Sequence, residues 1–252
     1  RKKNEIIYFN FNNFFYTNYK KKNLWEEFFF QPFHELDNEI KKKIDLNQYS
    51  VEYNKKIKNN LLYTSKDGVK NLKNFNKINH LRKIFKKYIK FKPQILDQSN
   101  NFLKKNIKEK TLSVHIRGTD KFKVHSKGTN YILKFQSKLV EKIKLIKNKK
   151  KFKKIFLATD DYYIHNLMKK NFMSSLVKKK VSLRKNKEAL HVASLYESEQ
   201  TKIQNCKEAL IDAIILSKCE ESLLCQSNLS ILSILLRNNN KYDFLDSDIT
   251  YS

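Results

Sequence analysis

From Thr111 onward, short apolar runs with strand character alternate with longer stretches of helical periodicity, and this rhythm limits the possible folds more than any other feature. TLSVHIR (111–117) reads as a buried strand, and YILKFQSKLVEKIKLIK (131–147) as an amphipathic helix with Leu139, Val140, Ile143 and Ile146 inward. KIFLATDD (154–161) reads as a second strand entering an acidic loop, followed by the helical YYIHNLMKKNF (162–172). KKKVSLR (178–184) is expected as a third strand, KEALIDAIILSKCE (207–220) as an apolar helix, ESLLCQ (221–226) as a fourth strand, and SNLSILSILLR (227–237) as a closing helix. Alternation at this spacing argues for an α/β fold: a parallel, doubly wound, Rossmann-like sheet with helices on both faces.

The stretch before it has a different texture. EIIYFNF (5–11) has an alternating strand look, and LWEEFFFQPF (24–33) is an apolar cluster stopped by Pro32. Helical spacing dominates from Glu35 to Lys110, clearest in LRKIFKKYIKF (81–91) and in ILDQSNNFLKKNI (95–107) after Pro93. We expect residues 1–105 to be a partial, largely helical domain and 106–252 the sheet domain. The chain opens on Arg1 without a signal-peptide pattern, as expected of a piece of a longer protein.

Lys and Arg total 53 against 25 acidic residues, a formal charge of +28 that favours anionic partners. Most of the excess is Lys in scattered runs amid Asn and Ile, the composition of a solvated basic surface. The arginines are more selective, since a planar guanidinium suits phosphate; they are Arg1, Arg82, Arg117, Arg184 and Arg237. Diffuse lysines without a stacking face do not suggest specific nucleic-acid binding, although a basic nucleic-acid binder stays as the distant alternative. Cys206, Cys219 and Cys225 form no CxxC pair, so neither a disulfide framework nor a zinc site is expected. With no run near the ~18 apolar residues that span a bilayer, a reducing cytoplasmic setting is expected, with peripheral contact to an anionic membrane as a further expectation.

Chemistry gathers where the expected strands end. Alternation places Ser113, His115 and Arg117 on one face and Val114 and Ile116 on the other. Arg117-Gly118-Thr119-Asp120, Thr159-Asp160-Asp161 and Ser227-Asn228-Leu229-Ser230 all fall at one sheet edge, where open α/β sheets bind ligands. Ser227 or Asn228 is typed as an N-cap, and the helix start it opens suits a phosphate. Arg117 can grip a diphosphate, and the carboxylates can hold ribose or base edges. With three Gly in the chain, a GxGxxG loop is impossible. Each residue also has an ordinary structural reading. His115 can be a core histidine, Asp160-Asp161 and SNLS can be helix caps, and Asp212 can be a salt-bridged acid in an apolar helix.

HIRGTDK, FLATDD, ALIDAIILSKCE and SNLS, in this order, resemble the α1,6-fucosyltransferases and nodulation fucosyltransferases, over about residues 95–236. The resemblance implies a GT-B-like fold and metal-independent, inverting transfer of fucose from GDP-fucose, with no cofactor. By resemblance Arg117 would stabilise the departing diphosphate, and His115 and Asp160 would contact the guanosine side. Thr119, Asp120, Asp161 and Asp212 would support the pocket, and Ser227, Asn228 and Ser230 would set a helix start beside the diphosphate. The acceptor stays open among a glycan, a lipid-linked oligosaccharide, a polysaccharide and a protein. Two departures stand out: Gly118 occupies the place of a second arginine, with Lys121 nearby, and FKVHSKGTN (122–130) holds no acid. His125 is then the one group there that titrates near neutrality and the candidate base. Another GDP-sugar transferase and a sugar-nucleotide binder without catalysis are the alternatives.

Overall fold

The computed structural model describes residues 24–30, 72–117, 129–177, 179, 182–183 and 197–245. Thr119, Asp120, His125, the EIIYFNF segment and most of KKKVSLR lie outside the described residues. The described elements begin with α1 (Leu24–Phe28) and β1 (Phe29–Phe30), then α2 (Phe75–Tyr88), β2 (Lys90–Phe91) and α3 (Pro93–Asn106). The alternating part follows as β3 (Thr111–His115), α4 (Thr129–Lys149), β4 (Lys154–Ala158), α5 (Tyr162–Phe172), α6 (Glu199–Lys218), β5 (Glu221–Leu224), α7 (Asn228–Leu236) and β6 (Tyr242–Phe244).

Four of these strands form one parallel sheet in the order β4-β3-β5-β6. The fold is therefore α/β, as the alternation implies; the strands expected at 111–117, 154–161 and 221–226 are present, and the sheet gains an unexpected one at Tyr242–Phe244. Three residues after a polar Asn/Lys run carry too little apolar signal to be read as a strand. Beyond β4, Leu176 makes a single parallel bridge to Ile155.

β3 is buried along its whole length, as a central strand covered on both sides must be. Its alternation splits the core. Leu112, Val114 and Ile116 pack with Leu139, Val140 and Ile143 of α4 and with Ile164, Met168 and Phe172 of α5. On the other side, Phe156 and Ala158 of β4 pack with Ile211, Ile214 and Ile215 of α6 and with Phe91 and Ile95. Ile78 of α2 joins Leu224, Ile234 and Phe244. The domain boundary expected near residue 105 falls at the α3–β3 connection, and apolar packing runs continuously across it.

Local chemistry sets the helix ends. Asn74, Asp161, Ser198 and Ser227 each accept a bond from a backbone N–H in the first turn of the helix they open. Pro93 stands at the start of α3, where its missing N–H costs nothing. α4 closes on a Schellman turn: Phe152 N donates to Lys147 O (2.9 Å) and Lys151 N to Asn148 O (3.2 Å). Lys151 takes the left-handed position of that turn, with φ 55°. α6 starts at Glu199, eight residues before the expected run, because its polar first half shows no apolar stripe.

Two of the arginines that suggested phosphate recognition are structural. Arg237 is fully buried and donates to Leu216 O (2.8 Å), Cys219 O (2.9 Å), Glu220 O (3.0 Å) and Ser222 Oγ (2.5 Å). It thereby caps the carbonyl end of α6. Arg82 reaches from α2 to Ile234 O (2.9 Å), Asn239 O (2.7 Å) and Asn240 Oδ1 (2.7 Å), tying α2 to the α7–β6 connection. Their five-donor forks satisfy chain ends, work a lysine's single ammonium cannot duplicate.

Candidate functional site

The strand order creates a switch point. The chain leaves β3 toward β4 on one side, and leaves β5 toward β6 on the other, although β3 and β5 are neighbours. Loops that diverge in this way leave a crevice at the carboxyl edge of the sheet. Register places His115 level with Ala158 and Leu224 across three strands, at the lip of that crevice.

His115 is 6% exposed, and its Nδ1 lies 2.7 Å from Ser230 Oγ. Ser230 Oγ donates its proton to Cys225 O at 2.6 Å. Having spent that proton, the hydroxyl can only accept from the ring, so we assign the Nδ1–H tautomer. Ser227 Oγ lies 3.3 Å from both Nδ1 and Ser230 Oγ and accepts from Ser230 N at 3.1 Å. Nε2 is left as a neutral acceptor with no partner among the described residues. Burial, with the Arg117 charge adding to it, lowers the His115 pKa to about 3, so the ring stays neutral at physiological pH. This ring orients and accepts; it is not a proton store.

Cys225, buried just past the end of β5, links β3 to this edge, and its place in the sequence carries no sign of that role. Its amide donates to His115 O (3.0 Å), and its Sγ receives Arg117 N (3.3 Å) and lies 3.5 Å from His115 Nδ1. Burial pushes the thiol up to about 11, with Arg117 pulling it down and Asp160 pushing it up. Arg117 and Asp160, both half-buried, therefore exert their charges on the same point. The available signal was positional: Cys225 ends a strand two residues before a Ser cap.

At the start of α7, Ser227 caps the turn while the amides of Asn228 and Leu229 keep no partner among the described residues. Asn228 is exposed and Leu229 half-buried at this helix start. The carboxyl ends of β3 and β4 thus bring the neutral ring of His115, Arg117 and Asp160 to the sheet edge at which α7 begins.

Other expected site residues stand differently. Asp161 spends Oδ1 on Ile164 N (2.9 Å) as the cap of α5, and its own amide donates to Thr159 Oγ1 (3.2 Å). Asp212 is buried on α6 and pairs with Lys179. It lies one turn, about 6 Å, before Leu216, whose carbonyl receives Ser113 Oγ, so it stands at about the height of His115 along the sheet. Burial raises its pKa to about 6 against the pull of Lys179. Among the described residues no group of three His, Cys, Asp or Glu is placed to hold a metal ion. Nor is any described helix long and apolar enough to cross a membrane.

Sheet, crossovers and crevice define a parallel α/β unit with a polar cluster at its switch point. No protein-family model and no curated protein matches the chain. Among solved structures it is similar to NodZ α-1,6-fucosyltransferase co-crystallised with GDP, at 14% identity and TM-score 0.41, over 61% of this chain and 44% of that one. The form soaked with GDP-fucose matches at 18% identity and TM-score 0.41, over 62% and 46%. Fucosyltransferase NodZ from Bradyrhizobium matches at 14% and 0.41, over 61% and 44%. The chain spans less than half the length of these proteins. Overlap at this level is a partial likeness of fold and assigns no residue a role.

Proposed function

We propose that the crevice binds the diphosphate of a nucleotide sugar and that the chain belongs to a metal-independent, inverting glycosyltransferase, with GDP-fucose as the donor. The observation that supports this reading is the adjacency of β3 and β5, which brings the backbone of Arg117 to Cys225, three residues before the start of α7. A diphosphate is the ligand for which a fixed guanidinium and a helix start are jointly suited. Neutral His115 offers Nε2 to a hydroxyl or amino proton of the nucleoside, and Asp160 offers a carboxylate to the same part.

In the proposed step, an acceptor hydroxyl oxygen bonds to the anomeric carbon as the bond from that carbon to the β-phosphate oxygen breaks. The bonding pair leaves with GDP, and the hydroxyl proton passes to a base, for which His125 is the candidate. Arg117 and the α7 amides stabilise the charge that grows on the leaving diphosphate. One preorganised donor of this kind contributes about 3–4 kcal/mol, so Arg117→Ala should lower turnover about a hundredfold or more. A glycan, lipid-linked sugar or polysaccharide supplies the hydroxyl.

Thermal-shift titration with GDP, UDP, CMP and their sugars tests the proposal. GDP-selective stabilisation that is lost in Arg117→Ala supports it; a UDP preference redirects it to another donor, and no nucleotide response overturns it. Gly118 and the acid-free segment after Lys121 favour a second reading, a binder without catalysis, which GDP binding without release of fucose from GDP-fucose would identify.

A further inference from the structure

The opposite edge of the sheet carries a surface that nucleotide chemistry does not explain. α4 and α5 lie on one face of the sheet and both end at its amino edge, against the starts of β3 and β4. A groove there is lined by Lys110, Lys149, Lys150, Lys151, Lys241, Glu220 and Glu221 around Phe152. Glu221 holds Lys150 and Glu220 holds Lys241, both at 2.5 Å, while Lys110 donates to Lys150 O. The ammonium groups of Lys149 and Lys151 have no acidic partner among the described residues. Lys151 is turned outward from the helix end by its left-handed backbone, a conformation that ordinarily selects Gly or Asn.

Large apolar side chains stand out on the two helices that end at this edge. Leu145, one turn before Lys149 on the same side of α4, is 66% exposed, and Met173, at the end of α5, is 68% exposed. Met173 adjoins Ser174, whose carbonyl receives Lys154 Nζ. These two side chains are more exposed than any other large apolar group described.

We propose that this amino edge docks on an anionic bilayer surface, with Lys149 and Lys151 against the headgroup phosphates and Leu145 and Met173 entering the interface. Charge complementarity selects the anionic leaflet, and protruding aliphatic and thioether groups beside lysines are what an interfacial contact uses. Single-stranded nucleic acid would call for aromatic platforms on which bases stack. Phe152, the one aromatic ring in the groove, is buried with Lys110 over its face. Docked in this way, the crevice at the carboxyl edge faces away from the membrane. The proposal stands apart from the identity of the nucleotide, because the two edges share no residue.

Vesicle sedimentation of the full chain tests it. Partitioning onto phosphatidylcholine vesicles containing about 30% phosphatidylglycerol should exceed that onto pure phosphatidylcholine about tenfold or more, and should fall with salt. Lys149→Glu with Lys151→Glu should reduce it about tenfold, whereas the charge-matched Lys83→Glu with Lys87→Glu on α2 should change it less than about threefold. Leu145→Ser with Met173→Ser should weaken the binding that persists at high salt, and GDP affinity should be unchanged throughout. Equal losses in the two charge-reversed pairs would reduce the effect to net charge and overturn the proposal. So would the absence of partitioning, or RNA binding that depends on Lys149 and Lys151 without vesicle binding.

Discussion

His115 Nδ1 and Ser230 Oγ meet at 2.7 Å across the boundary between β3 and the start of α7, joining residues 115 positions apart. Burial, with the Arg117 charge adding to it, holds this imidazole neutral, and stability should depend on pH through it. The folded pKa lies near 3 and the ordinary value at 6.5. Between them the unfolded chain takes up a proton that the folded chain refuses, so stability is full above the upper value and drains as pH falls. Each pH unit in that window costs up to about 1.4 kcal/mol. Urea midpoints from pH 7 to pH 4 should therefore drop more steeply for the natural chain than for His115→Asn, and parallel slopes would show that His115 is not the source.

Ser230 and Ser233 are both fully buried on α7 but should respond differently to truncation. Ser230→Ala removes the donor to the Cys225 carbonyl and leaves the His115 ring proton only the longer contact to Ser227 Oγ, for a loss of about 1–3 kcal/mol. Ser233 donates only to Ser230 O, a carbonyl within its own helix, so Ser233→Ala should cost less than about 1 kcal/mol. Equal denaturant midpoints in the two variants would contradict the assignment of the Ser230 hydroxyl.

Arg237 should be a determinant of stability and not of ligand binding. Arg237→Met strips the carbonyl end of α6 of its donors and should cost about 3–5 kcal/mol. Arg237→Lys, with a single ammonium, should recover only part of that. Chemical denaturation measures the loss, and unchanged GDP affinity in the folded fraction of Arg237→Lys separates this arginine from Arg117.

Lys151 sits at φ 55° in the turn closing α4. A left-handed backbone costs a residue with a Cβ about 1–2 kcal/mol, of which the flexibility of glycine in the unfolded chain gives back part. Lys151→Gly should stabilise by about 0.5–1 kcal/mol, and Lys151→Val should destabilise. Melting temperatures in that order, with the natural chain between the two, are the expected result.

Particular residues show how far local pattern reached. Alternation in TLSVHIR placed Val114 and Ile116 against one helix layer and Ser113 and His115 toward the other, because a strand's side chains must alternate whatever surrounds it. Ser227 was legible as a cap because a hydroxyl just before an apolar helical run satisfies amides of that same run. β6 was not legible: a three-residue strand gains its stability from the neighbour it pairs with, and its own composition does not announce it. Arg82, Arg117 and Arg237 were indistinguishable in one dimension, since a guanidinium is the same fork whether it faces a cleft or a buried carbonyl. Asp160 and Asp161 were equivalent as neighbours until the geometry of α5 spent one of them on Ile164 N.

The linear chain on its own determined the α/β class, the alternation of strand and helix and the caps at 160–161 and 227–228, because these follow from short-range periodicity and local hydrogen bonding. The tertiary structure alone decided that β5 would lie beside β3, bringing Cys225 between His115 and Arg117 and turning Arg82 and Arg237 inward. Strand order depends on which long-range surfaces bury the most apolar area together, and no local stretch of residues carries that sum.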